Sequence, residues 1–295
     1  VASAEVRQIR RRIKSVESTM KITRAMELIA TARIGKAQVR VAQAKPYTEK
    51  MNSVISNIAS ETGSLSHPLL ERRDVKTVGV LVVSSDRGLA GGYNSSVIRL
   101  AETAVRKHQV AGRTVRLYIV GAKAQSYFRY RKHQLDHVWL NVTDTPEYSD
   151  ARSVANILLD EYSTGRVDAV EAYTTEYVSA LTQNALQWPV LPIEPPEAPV
   201  AGADGGVPVS YTYEPSPEEI LGRLLPRYLE GTVFGMLLEA SASEHAARRR
   251  AMKAATENAE ELTRLLTREA NQARQAEITT EISEIVGGAE ALAGG

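Results

Sequence analysis

Stepping alternately three and four residues from Val6 meets Ile9, Ile13, Val16, Met20, Thr23, Glu27, Ala30, Ile34, Ala37, Val41, Ala44, Thr48, Met51, Ile55 and Ile58. Only Thr23, Glu27 and Thr48 break the apolar run. A seven-residue repeat sustained this long cannot be a strand, and a helix with such a seam needs another helix against it. Gly35 and Pro46 are the only breakers on the way, and the seam keeps its register past both. Pro46 is expected to kink the helix, because proline removes a backbone hydrogen bond and crowds the preceding turn.

The other end of the chain offers the partner. Ser216-Pro217-Glu218-Glu219 reads as a helix start, with Ser216 as N-cap, Pro217 at the first position and Glu219 completing a capping box. Pro226 is expected to break or kink that helix. Beyond it a seam is read through Met252, Ala255, Ala259, Leu262, Leu266, Glu269, Ala273 and Ala276, and Gly287-Gly288 are read as the stop. Residues 1–50 carry twelve Lys/Arg against four Glu, a net of +8, whereas residues 239–290 carry seven against ten, a net of −3. Opposite charge favours pairing of the two ends, and the simplest pairing is antiparallel.

Between the ends the period changes. Thr77–Ser84, Thr114–Val120 and Val167–Tyr173 are β-branched runs, with His137–Val142 and Leu186–Ile193 as weaker strands. Helical stretches around Ser95–His108, Ala122–Lys132 and Ala151–Ser163 alternate with them, which implies a mainly parallel sheet covered on both faces. The fold class expected is therefore α/β. Residues 1–62 and 216–288 form a long antiparallel coiled coil, 75–195 an inserted Rossmann-like α/β domain, and 196–215 a Pro/Gly-rich loop and connecting segment.

Chemistry is sparse. With no cysteine there is no disulfide, thiolate ligand or thiol nucleophile. Ser84-Ser85-Asp86-Arg87-Gly88-Leu89-Ala90-Gly91-Gly92-Tyr93-Asn94 stands where a phosphate-binding turn would stand, after a buried strand and before a helix. It matches neither glycine-rich phosphate motif, and no lysine is expected at its end, so it reads as a tight turn whose glycines take positive φ. His133, Asp136 and His137 lie at near-helical spacing without a further ligand, so no metal is expected. The basic start (Arg7, Arg10, Arg11, Arg12, Lys14) flanks the seam and has no aromatic residue before Tyr47 to stack bases, so no nucleic-acid partner is expected. No run of about 18 apolar residues is present to span a bilayer, the start is too charged for a secretory leader, and an intracellular chain is expected. One stretch is apolar on two sides. Ile22, Met26 and Ile29 lie off the seam, and a helix with a second stripe needs a second burial partner, from this chain or another.

Four motifs carry a resemblance. Ile278-Thr279-Thr280-Glu281-Ile282-Ser283-Glu284-Ile285-Val286-Gly287-Gly288-Ala289-Glu290-Ala291 resembles the C-terminal signature of the γ subunit of F-type ATP synthases. Lys21-Ile22-Thr23-Arg24-Ala25-Met26-Glu27 is similar to its N-terminal motif, Ser85–Asn94 to its central-domain motif, and Ala251-Met252-Lys253-Ala254-Ala255-Thr256 to its C-terminal-helix motif. The four stand in the family's order over essentially the whole chain.

The resemblance implies a central-stalk rotor that couples proton flow through a membrane c-ring to conformational cycling of β-subunit catalytic sites. It implies no catalytic residue, cofactor or metal in this chain. Implied partners are the α and β subunits, ε and the c-ring, with no nucleic acid and with membrane association only through the complex, on the cytoplasmic side of a bacterial cell membrane. Ile22, Met26, Arg274 and Gln275 match β-contact positions. Tyr211, Tyr213 and Glu214 match the foot near the c-ring and ε. From the residues without the resemblance, an α/β enzyme with a coiled-coil arm and a coiled-coil adaptor for nucleic acid or membrane stay open.

Overall fold

The computed structural model describes residues 4–62, 67–194 and 216–293. The chain divides into two compact units, one of residues 1–30 with 249–295, the other of residues 31–248.

In the first unit, helix α1 (Ala4–Thr62) lies beside helix α5 (Pro217–Ala293). Thr23 bonds Thr256, while Glu5 and Ile9 line a cleft with Glu269, Ala273 and Glu284, so the two run antiparallel. Val6, Thr23 and Ala30 are buried, and Ile9, Ile13, Val16, Met20 and Glu27 are half-buried, as the heptad requires. The α5 seam differs from the expected one. Met252, Thr256, Ala259, Leu266 and Ala270 are buried and Thr263 and Ala273 half-buried, while Leu262 and Glu269 face solvent. The helix also runs through Gly287 and Gly288 to Ala293. A helix-interior glycine costs only about 1 kcal/mol relative to alanine, and the alanine-rich segment after the pair carries the helix on.

The second unit is built on five strands: β1 (Thr77–Val83), β2 (Thr114–Val120), β3 (His137–Trp139), β4 (Ala169–Tyr177) and β5 (Gln183–Leu191). Their order is β3-β2-β1-β4-β5, the first four parallel and β5 antiparallel to β4. Only residues 178–182 separate β4 from β5, and a parallel return needs roughly a dozen residues or more. β3 stops short of the expected Val142 because the chain turns at Asn141, with φ +61, toward β1's end.

Alternation along β1 splits the core. Val78, Val80 and Val82 face helices α2 (Tyr93–Val110) and α3 (Ala122–Tyr130), meeting Val97, Ala101, Val105 and Phe128. Leu81 and Val83 face the other way, toward helix α4 (Tyr148–Ser163). That second core also takes Met51, Ile55 and Ile58 from α1 and Leu221, Leu225, Leu229 and Val233 from α5, so both terminal helices supply it. Ser216 accepts from the Glu219 N–H at 3.2 Å, the expected cap. Pro46 and Pro226 sit inside unbroken helices. Around Pro226, fully buried Leu221, Leu225 and Leu229 hold the helix against the local loss of a backbone bond.

Candidate functional site

Two places bear on function: the turn after β1, and the outer faces of the two helices in the first unit. At the turn, the Ser84 hydroxyl donates to the Val120 carbonyl (3.1 Å) and accepts from the Ala124 N–H (2.9 Å). Asn94 Oδ1 accepts from the Ser85 N–H at 2.9 Å. Asp86 divides its carboxylate, one oxygen accepting from Ala122 N–H (3.1 Å) at the start of α3, the other from the Thr143 hydroxyl (3.1 Å). Gly121 passes so close that a Cβ there would lie 2.2 Å from the Ser84 carbonyl oxygen, at φ +96. Of the motif's glycines only Gly91 takes positive φ (+56), and Leu89, which is exposed, takes +62. A lysine does reach the turn, contrary to the expectation from sequence: Lys123 of α3 lies beside Gly88.

In a doubly wound sheet a ligand sits where the strand order reverses, here between the C-terminal ends of β1 and β4. Helix α5 fills that place. Ala247 packs on Ala90 and Tyr93. Ser243 Oγ donates to the Thr175 carbonyl at 3.4 Å, and Arg248 bonds both Glu244 (2.6 Å) and the Gly88 carbonyl (3.4 Å). Burial pushes the Glu244 carboxyl above the usual carboxylate range although Arg248 pulls it down. Burial, followed by the charge of Glu244, drives the Tyr93 hydroxyl well above its ordinary value. Arg33 pairs with Asp144 and Arg40 donates to the Pro146 carbonyl, so α1 holds the loop after β3 as well. The motif packs on α5 through Ala90, Tyr93 and the Gly88 carbonyl, while Ser84, Asp86 and Asn94 bond within the α/β layer.

The metal candidates are also committed. Asp136 accepts from Arg116 Nε (2.8 Å) and Leu117 N–H (2.9 Å), His137 stacks between Tyr118 and Trp139, and His133 packs edge-on to Phe128. Among the described residues no group of three His, Asp or Glu could hold a metal ion. No helix of the described residues is long and apolar enough to cross a membrane.

On α1 the second stripe faces outward. Ile22 is 58% and Ile29 55% exposed, with Met26 half-buried between them and the seam. Among the described residues no further helix of the first unit covers them. Sequence reasoning missed Leu28, 65% exposed on the opposite flank. On α5, Arg274 and Gln275 are exposed, and Gln275 stands opposite the half-buried Ala273. Given the Thr23–Thr256 pairing, Met26 and Arg274 sit about 21 residues apart along the helix pair, roughly 30 Å. The structure therefore brings Ile22 and Met26 together but not with Arg274 and Gln275. Ile278, Ile282 and Ile285, spaced four and three, form another exposed stripe that hydrophobic periodicity could have flagged. Tyr211, Tyr213 and Glu214, with the whole of 196–215, lie outside the described residues.

A family model described as ATP synthase matches residues 5–292. The ATP synthase gamma chain of Parafrankia sp. (strain EAN1pec) is 49% identical over 298 aligned residues, covering 99% of both chains. That of Frankia casuarinae is 46% identical over the same span, and that of Desulforamulus reducens 42%, covering 98% of this chain and 99% of that one. Among solved structures, a chain of Euglena gracilis mitochondrial ATP synthase in rotational state 3 superposes with a TM-score of 0.64 at 16% identity, over 98% of this chain and 94% of that one. A central-stalk/c-ring structure from Tetrahymena thermophila gives 0.58 at 21% identity, over 79% and 99%. The likeness to these structures is one of fold, two long terminal helices around an α/β layer. Matched along nearly its entire length, the chain belongs to the ATP synthase gamma chain family.

Proposed function

We propose that the chain is the central-stalk rotor of a bacterial proton-translocating ATP synthase, with no active site of its own. It would turn inside a ring of α and β subunits while its foot rides on the c-ring and binds ε, peripheral to the cytoplasmic face of the cell membrane. The observation that carries this reading is the uncovered apolar stripe on α1, with Ile22 and Ile29 more than half exposed on a helix whose seam is already satisfied. A shaft gripped from outside needs such a second face, and one of modest size, because each contact must break as the shaft turns. Paired antiparallel helices supply stiffness, and a single chain inside a pseudo-threefold ring supplies asymmetry. Ile22 and Met26 would meet one level of the β subunits, and Arg274 and Gln275 another. Tyr211, Tyr213 and Glu214 would belong to the foot. Residues 75–195 would act as an inserted α/β domain that broadens the foot, with 1–62 and 216–288 as the shaft.

Native mass spectrometry of the complex recovered through a tag on this chain tests the proposal. One copy with three each of two larger subunits, together with ATPase activity, is the expected result. A monomer or homodimer without ATPase activity would overturn it.

A further inference from the structure

Glu102 of α2 faces more positive charge than it can neutralise. Its Oε1 accepts from Arg106 Nη2 at 2.8 Å, one turn further along the same helix, and from Arg131 Nε at 3.0 Å, just past the end of α3. The Tyr127 hydroxyl donates to the other oxygen. The Glu102 side chain is 10% exposed, whereas those of Arg106 and Arg131 are 61% and 43% exposed. The Tyr127 hydroxyl, opposed by burial and joined by both guanidiniums, holds the Glu102 pKa down to about 2, so the anchor stays ionised near neutral pH.

One arginine would balance a single buried carboxylate and tie α3 to α2. A second on the same oxygen leaves a unit of positive charge fixed in place. Each guanidinium carries five N–H groups, and the bonds to Glu102 use only part of each fork. The surroundings add to the excess. Residues 93–135, which hold α2 and α3, carry nine Lys/Arg and only Glu102 as an acid, a net of +8. Arg99, Lys107, Arg129 and Lys132 are all exposed, and none of these four joins a salt bridge among the described residues.

We propose that Arg106 and Arg131, positioned by Glu102, form a binding site for a phosphate group. Planar guanidiniums match phosphate oxygens in pairs of hydrogen bonds, and forks already held by a buried carboxylate have less rotamer freedom to lose when a ligand arrives. A phosphate offers enough oxygens and charge to engage both forks at once. The group is the same chemistry whether it comes free in solution or on a lipid headgroup.

Isothermal titration calorimetry of the full chain with inorganic pyrophosphate, and sedimentation with phosphatidylglycerol or phosphatidylcholine vesicles, test this at fixed ionic strength. Saturable binding of pyrophosphate marks a free phosphate as ligand, and binding of phosphatidylglycerol vesicles alone marks a lipid headgroup. Whichever probe binds, Arg106→Gln should weaken it about tenfold or more. Arg129→Gln removes the same charge outside the site and should change binding less than about twofold. Circular dichroism melts confirm that each variant is folded. Arg106→Lys keeps the ion pair with Glu102 but loses the fork, so it stays readable should the glutamine variant unfold, and it should weaken binding about threefold or more. No saturable binding of either probe, or equal losses in Arg106→Gln and Arg129→Gln, would overturn the proposal. Neither readout depends on assembly with other subunits, so failure here leaves the rotor reading intact.

Discussion

Thr23 and Thr256, on antiparallel helices, place their hydroxyl oxygens 2.8 Å apart in the buried seam. Each hydroxyl also lies within reach of a carbonyl of its own helix, Met20 for Thr23 (3.0 Å) and Met252 for Thr256 (2.9 Å). A hydroxyl has one proton, so one threonine donates across the seam while the other donates to its own backbone. The arrangement fixes the register of the pair at this point of the seam.

Either valine substitution, Thr23→Val or Thr256→Val, should cost about 1 kcal/mol, since the surviving hydroxyl falls back on its own carbonyl. The double variant should cost little more than one single, because the cross-helix bond is lost only once. Denaturant melts of the four chains in a double-mutant cycle measure this, and strict additivity would refute the shared-proton account.

Gly121→Ala should be far more damaging than Gly112→Ala. Both residues have positive φ, but a Cβ at Gly112 meets open space while one at Gly121 lands on the Ser84 backbone. The expected cost is about 1 kcal/mol at Gly112 and about 3 kcal/mol or more at Gly121. Thermal unfolding of the two variants compares them directly.

His245 should make stability fall as the solution is acidified from neutral. Its Nε2 faces the Asp144 carbonyl (3.2 Å) and its Nδ1 faces Arg248 Nη1 (3.4 Å), so the ring is neutral, donating at Nε2 and accepting at Nδ1. Burial lowers its pKa from the usual 6.5, with Arg248 adding to the shift. The unfolded chain therefore binds the proton more readily, and the folded chain loses stability as pH drops below about 6.5. In His245→Gln that part of the pH dependence should vanish, so the wild-type and variant curves of denaturation midpoint against pH should diverge between about pH 7.5 and 5.5.

Met26→Lys should disturb coupling more than folding. Met26 is half-buried beside exposed Ile22, so an added ammonium can stay in water, and the cost in stability should be within about 1 kcal/mol. In the assembled enzyme, proton pumping per ATP hydrolysed should fall measurably, read by acidification of inverted vesicles alongside phosphate release. Unchanged pumping and hydrolysis would remove Met26 from the contact.

Much of this fold is legible in the sequence because period is a strong signal. Every α1 seam position from Val6 to Ile58 is buried or half-buried, including the polar Thr23, Glu27 and Thr48. The α5 seam is legible only in part. Met252, Ala259, Leu266 and Ala273 belong to it either way, but the positions between them fall one residue later than expected, at Thr256, Thr263 and Ala270 in place of Ala255, Leu262 and Glu269. With alanine on several faces the pattern cannot choose between stepping three-four and four-three, and the partner's Thr23 decides it. Glycine at 287 and 288 misleads for a related reason: it permits a stop without imposing one. The turn at Ser84–Asn94 reads as structural from sequence, but its fastening by Asp86, Thr143 and Arg248 joins residues far apart in the chain, and no local pattern encodes that.

The second core draws on Ile55 and Ile58 near one end of the chain and on Leu221, Leu225 and Leu229 more than 160 residues later. Synthesis from the N-terminus therefore leaves the part of this core that α4 does not cover open until α5 emerges. Contacts of such long sequence separation form slowly, and uncovered apolar strands invite aggregation meanwhile. The α/β layer cannot mature as an autonomous module. A nascent chain stalled before residue 217 should hold α2 and α3 on one side of the sheet and α4 on the other, while the apolar surface that α5 later covers stays accessible to chaperones.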